Sequence, residues 1–219
     1  MSFGPEPRPG AERSRAGDLS ETARIEAFSD GVFAIAITLL VLEVHVPAMA
    51  LVHAAGGLGR ALLQEWPSFL GYVLSFVVCG IMWANHHYIF KLIRRSDHNF
   101  VVLNMLLLLF VGFLPFPTAV LARYLPLEEG RRFAVTFYTG FFTVTAIAYN
   151  ALWTYASRRR RLIGDDVPDA EVAGVTRRFR LGPISYLIAT LVSLVSVEAS
   201  LAIVGGLALL YLLPYRGSR

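Results

Sequence analysis

Residues 24–47 read RIEAFSDGVFAIAITLLVLEVHVP, and this stretch decides the fold class. A helix rises about 1.5 Å per residue, so about 20 apolar residues cross the roughly 30 Å hydrocarbon layer of a bilayer. The run from about Phe28 to Val46 meets that length. It closes before Pro47, and Ser29 or Asp30 is placed to cap its start. Its interior is patterned: at 100° per residue Gly31, Ile35, Thr38, Leu39 and Leu42 fall within roughly one 100° sector. Such a stripe is what a membrane helix shows to a neighbour, and equally what it shows to a pore.

Outward from this helix the chain repeats the theme. It is 55% hydrophobic and only 16% charged, against about 25% charged in soluble domains. Further apolar runs fall at about 67–90, 100–124 and 133–157, and Pro115 and Pro117 should bend or end the third span. Between the first two, residues 48–66 leave room for a short amphipathic helix. After the fourth span a charged segment reaches Arg180 and reads as a solvated loop. The final apolar stretch, 181–215, would reach about 52 Å as one straight helix, too long for a single crossing. A turn near Ser196 to Ser200, with Glu198 at its tip, divides it into spans 181–196 and 199–215. The expected fold is an all-α integral membrane protein with six spans over residues 24–215, a flexible tail at 1–23 and a short tail at 216–219.

The basic residues orient this scheme. Cytoplasmic loops hold an excess of Lys and Arg, and with both termini cytoplasmic, 16 of the 20 basic residues fall on the inner side. The net charge of +4 is therefore a topology signal and no nucleic-acid surface. The lone cysteine, Cys79, excludes an intrachain disulfide and a Cys-rich metal site. No internal repeat is apparent, so inverted-repeat transporter architecture gains no support.

Arg24, Phe28, Ser29 and Asp30 form R-x-x-x-F-S-D, followed by G-V-F-A-I-A-I-T-L-L-V-L-E. Trp83, His86 and His87 form W-x-x-H-H; L-N-x-L-L-L-L runs over Leu103 to Leu109, and L-P-F-P-T over Leu114 to Thr118. Together these closely resemble the transmembrane protein 175 family, the endolysosomal potassium channels and their prokaryotic relatives. The resemblance is strong over about the first 120 residues and rests on span pattern beyond them. It implies a single-block prokaryotic member assembled as a homotetramer, with four first helices around a central pore. By position it implies Ile35 as the tightest hydrophobic constriction, Leu39 and Leu42 as further apolar layers, and Thr38 as a hydroxyl beside the neck. The geometric stripe and these positions coincide.

The same resemblance assigns Arg24 and Asp30 to a polar network fixing the first helix, with Trp83, Asn85, His86, His87 and Asn104 as candidate partners. The simpler reading makes Arg24 a snorkelling side chain and Asp30 a helix cap. For Thr38 it is a hydroxyl bonded back to the Ala34 carbonyl. Glu43 and His45 either attract cations to the outer mouth or anchor the helix at the interface. His86 and His87 diverge by about 100° on a helix and lack H-x-x-x-H spacing, so neither a resident metal nor an enzyme is expected, and no cofactor.

No T-V-G-Y-G filter occurs in the chain, so dehydration of an ion is not repaid by stacked carbonyl rings. The function implied is a passive potassium-permeable cation channel, with transient K⁺ and other monovalent cations as its ligands. A proton-permeable or proton-coupled pathway on the same scaffold is the alternative. Nineteen arginines to one lysine point to a GC-rich bacterial genome and hence to the plasma membrane.

Overall fold

The computed structural model describes residues 9–212, with side chains from Glu21 to Tyr211. The expected C-terminal tail, 216–219, the end of the last span and residues 1–8 of the N-terminal tail lie outside the described residues. The described chain is helical in the order α1 (Pro9–Leu39), α2 (Met49–Ala55), α3 (Leu58–Gln64), α4 (Trp66–Leu92), α5 (His98–Phe113), α6 (Pro115–Tyr124), α7 (Arg131–Ser157), α8 (Asp169–Ser193) and α9 (Val197–Leu212). Three segments are long and apolar enough to cross a membrane, Glu21–Glu43, Trp66–Leu92 and His98–Tyr124, and Val197–Tyr211 is a shorter apolar helix.

Several boundaries differ from the sequence expectation, each for a local reason. Ser29 and Asp30 do not cap α1, which runs through them from Pro9. The stretch 9–23, expected as flexible tail, is thus helical; it is rich in Ala, Glu and Arg, which favour helix. The first span ends in a 3-10 turn, Leu40–Glu43, before Pro47. The charged segment before Arg180 is not wholly a loop, because α8 starts at Asp169, with Asp169 and Glu171 in its first turn where acidic groups favour a helix start. The last turn falls at Leu194 to Ser196, and Glu198 lies in the first turn of α9. There Ser196 Oγ accepts the Ala199 N–H (3.1 Å) and Arg131 donates to Glu198 (2.6 Å). The prolines act as expected: α5 stops at Phe113, and Pro115 occupies the start of α6, where its missing N–H is no loss.

The bundle is organised around α7, which packs along α8 and also meets α5, α6 and α9, while α1 lies against α4 and α5. Its core joins Phe33 of α1, Leu40 of the 3-10 turn that follows it, Val78 and Cys79 of α4, Val111 of α5, Leu121 of α6 and Tyr138 of α7. Because α7 is enclosed by neighbours, it carries hydroxyls that satisfy themselves: Thr139 donates to Val135 O (2.9 Å), Thr143 to Thr139 O (3.1 Å) and Thr145 to Phe141 O (2.8 Å). Ser75 Oγ joins Thr118 Oγ1 (2.7 Å) and the Tyr138 hydroxyl (2.9 Å), linking α4, α6 and α7 through buried polar contacts. Pro183 lacks the N–H that would bond Phe179 O within α8. Asn150 Nδ2 donates to that carbonyl instead (2.8 Å).

One end of the bundle is rich in arginine and closed by a clasp between the α4–α5 and α7–α8 connections. Arg94 N–H donates to Leu162 O (2.9 Å) and Gly164 N–H to Leu92 O (3.0 Å) around an isolated Ile93–Ile163 bridge. A Cβ at Gly164 would lie 2.7 Å from Arg94 Cγ, so any larger residue at this crossing would have to displace the Arg94 side chain. Ion pairs Arg94–Asp166, Arg95–Asp165 and Arg161–Asp97 flank it. Asp97 also caps α5 at Phe100 N–H (2.9 Å) and accepts the Tyr155 hydroxyl. Burial works to raise its pKa, but the Phe100 N–H, Tyr155 and Arg161 outweigh that and hold the carboxyl below its ordinary value.

Candidate pore-lining site

The two faces of α1 and of the turn that follows it differ sharply in burial. Phe33, Ala36 and Leu40 point into the bundle and are almost wholly buried, whereas Ile35 is 62% exposed and Leu42 66% exposed. Gly31, Thr38 and Leu39 share the exposed face. The stripe read from the sequence therefore has no partner among the described residues of its own chain. The Thr38 hydroxyl donates to the carbonyls of Ala34 (3.0 Å) and Ile35 (2.8 Å). That back-bonding uses its proton and leaves the oxygen lone pairs of Oγ1 as acceptors on the exposed side.

The polar anchor lies at the arginine-rich half of α1. Ser29 Oγ donates to Ile25 O (2.8 Å) and accepts from Asn104 Nδ2 (2.9 Å), while Asn104 Oδ1 accepts from His86 Nε2 (2.9 Å). This direction satisfies each donor along the chain α1–α5–α4 and leaves His86 Nδ1 unprotonated; that atom is buried and has no partner. The His86 ring is held between Phe33 and Phe90, at centroid distances of 5.4 and 4.4 Å. Ser29, His86 and Asn104 are all buried, and breaking their mutual hydrogen bonds inside an apolar bundle penalises any sliding of α1.

A second rung lies nearer the surface. Trp83 Nε1 donates to Asp30 Oδ1 (2.9 Å), and His87 Nδ1 meets Glu26 Oε1 (2.8 Å). Trp83 stacks on His87 at 5.8 Å between centroids. One turn back on α1 thus meets one turn forward on α4, as antiparallel packing requires.

Of the residues expected in this network, Ser29, Asp30, Trp83, His86, His87 and Asn104 come together. Arg24, Phe28 and Asn85 do not. Arg24 is exposed and makes no hydrogen bond among the described residues, Phe28 is 55% exposed, and Asn85 faces a cleft on the opposite side of α4. Glu26 was not anticipated from the sequence. Its signal was its position four residues before Asp30, matched by His87 four residues after Trp83.

Comparison with known proteins now bears on this arrangement. Residues 24–115, which contain the exposed stripe and every member of the network, match the family model described as endosomal/lysosomal potassium channel TMEM175. A potassium channel of Chamaesiphon minutus is 47% identical over 90% of this chain and 97% of its own length. The chain belongs to the TMEM175 family. A Streptomyces collinus potassium channel is 44% identical, covering 88% of this chain and 92% of that protein. The crystal structure of a TMEM175 homolog from Chamaesiphon minutus, titled a lysosomal potassium-selective channel, superposes with a TM-score of 0.80 over 88% of this chain and 96% of that one. Mouse TMEM175, named an endosomal/lysosomal proton channel, is 40% identical over 61% of this chain but only 28% of its own length. TMEM175 proteins are multi-pass membrane ion channels and not enzymes, and the fold described above is theirs.

Proposed function

We propose that this TMEM175 chain forms a homotetrameric, passive, potassium-permeable cation channel in a bacterial plasma membrane. Each chain crosses six times, with both termini and the arginine-rich end cytoplasmic. The observation that carries this reading is the exposed face of α1, where an apolar stripe without a partner among the described residues of its own chain sits opposite a buried, polar-anchored face. In a four-fold assembly Ile35 forms the neck, Leu39 and Leu42 extend the apolar lining, and Thr38, about one turn beyond Ile35, offers hydroxyl oxygens to a passing ion.

Such a neck selects by dehydration. An ion entering it loses water without a fixed carbonyl cage to replace the hydration shell, and K⁺ gives up its water more readily than Na⁺. Selectivity is accordingly modest, K⁺ is held only transiently, and no cofactor takes part. Ser29, Asp30, Trp83, His86, His87 and Asn104 fix the pore helix and do not touch the ion. The potassium channel names of the bacterial relatives support this reading. A proton-permeable or proton-coupled pathway along the same stripe is the second reading, favoured by the proton channel name of the animal relatives.

The test is flux from proteoliposomes under a potassium gradient, with proton, sodium and caesium conditions varied against empty vesicles. Potassium-driven flux that persists when the proton gradient is clamped supports the first reading. Flux that follows only the proton gradient replaces it with the second.

A further inference from the structure

A cleft opens between α4, α7, α8 and α9, on the far side of α4 from the polar anchor. Its walls are mostly apolar, with Val78, Ile81 and Phe142 among them, yet Arg178 and Asn85 also line it. Arg178 is half-buried and forms no ion pair among the described residues; its guanidinium lies 5.0 Å from the centroid of the Tyr211 ring. The Asn85 amide makes no side-chain hydrogen bond among the described residues. Toward this end Arg94, Arg95, Arg160 and Arg161 are matched to carboxylates, and the other arginines without an ion pair among the described residues, Arg24, Arg158, Arg159, Arg177 and Arg180, are exposed, so Arg178 alone among these is both unpaired and half-buried.

Depth separates the polar and apolar parts. Asn85 lies about two turns from the α4 end at Leu92, and Arg178 about two and a half turns from the α8 start at Asp169. Val78 and Phe142 lie about four turns in from the arginine-rich ends of their helices. A cation and an amide thus stand near the membrane surface, with an apolar slot running from them toward the bilayer centre. Holding an unpaired guanidinium at this depth is costly unless an anion meets it, and the slot matches an acyl chain attached to that anion. A soluble anion would leave the apolar part of the cleft unfilled.

We propose that this cleft is a binding site for an anionic phospholipid of the leaflet at the arginine-rich end. The phosphate pairs with Arg178 and accepts from Asn85, and one acyl chain lies along Val78, Ile81 and Phe142. The site rests on the membrane reading of the chain and not on the assignment of the pore, so it stands or falls separately from Ile35.

The test is native mass spectrometry of the full-length protein, titrated with phosphatidylglycerol or with phosphatidylcholine of the same acyl chains. Phosphatidylglycerol should be retained preferentially. Arg178→Gln should weaken that retention roughly fivefold, in line with the attraction of one basic residue to an anionic lipid. Arg178→Lys should restore part of it, and Arg180→Gln, which changes an exposed arginine outside the cleft lining, should leave it unchanged. If Arg178→Gln does not fold, Asn85→Leu reads the same site and should also weaken retention. Equal retention of the two lipids, an unaltered affinity in Arg178→Gln or Asn85→Leu, or equally effective competition by inorganic phosphate at matched concentration would overturn the proposal.

Discussion

Helices α1 and α7 are both long, yet they solve opposite problems. The apolar window of α1 is only 22% buried within the chain, while α7 buries Tyr138, Phe142, Leu152 and Trp153 almost completely. Apolarity follows the reverse order: α1 qualifies as a membrane span by hydropathy, and α7 does not. The difference teaches that hydropathy records what a helix shows to lipid or to other copies, not how central it is. Enclosed by four other helices, α7 can carry threonines and tyrosines whose hydroxyls are satisfied inside the bundle. With one face outside the fold, α1 relies on a few buried polar contacts for its position.

The contrast can be broken most sharply by truncation. Trp153→Ala on α7 should cost about 3–5 kcal/mol of stability, whereas Leu39→Ala on the exposed stripe should cost less than about 1 kcal/mol. Thermal unfolding of both variants in detergent measures this, and similar losses would mean that the stripe packs within the chain after all. Next in size is the anchor of α1. Asn104→Ala leaves Ser29 Oγ without its donor and His86 Nε2 without its acceptor, at a cost of about 1–3 kcal/mol. The same unfolding measurement checks it, and a neutral result would deny the network its role in fixing α1.

The smallest effect belongs to the clasp at the end of α7. The Asp97 carboxyl titrates below its ordinary 3.8 in the folded chain. Its contribution to stability is therefore complete above that unfolded value and is lost as the pH falls through the folded one. Asp97→Asn should lower stability slightly near neutral pH and flatten this acid limb. Unfolding curves taken from neutral pH down to about pH 3 compare the two proteins, and an unchanged acid limb in the variant would assign the loss to other carboxylates.

Much of α1 was legible in its sequence because a single helix needs only its own periodicity. Gly31, Ile35, Thr38, Leu39 and Leu42 share an outward face in the structure as they do at 100° per residue. Partnership was less legible, since it depends on the register between helices. Ser29 and Asp30 look like caps locally, but they lie mid-helix and are claimed by Asn104 and Trp83. The family resemblance assigns Arg24 to their network, yet Glu26 occupies the position facing His87. Asn85 is adjacent to His86, but the turn of the helix places it in a different cleft. Charge also misled at α8: Arg177, Arg178 and Arg180 read as solvated loop, whereas the helix already begins at Asp169 and carries all three arginines within it.

If the exposed stripe of α1 lines the ion path, a charge attached there must alter potassium flux, which cysteine labelling can measure. The sole native cysteine, Cys79, is buried, so background labelling is low. Potassium flux would be measured in proteoliposomes carrying Ile35→Cys, Thr38→Cys, Leu42→Cys or Leu109→Cys, before and after a charged thiol reagent. Leu109, 65% exposed on α5, serves as the control away from the stripe. The account predicts that modification at the α1 positions changes flux by about tenfold or more, the scale expected for a charge placed in a narrow apolar neck, with no change at Leu109. Flux untouched by labelling along α1, in protein shown to be labelled, would contradict it.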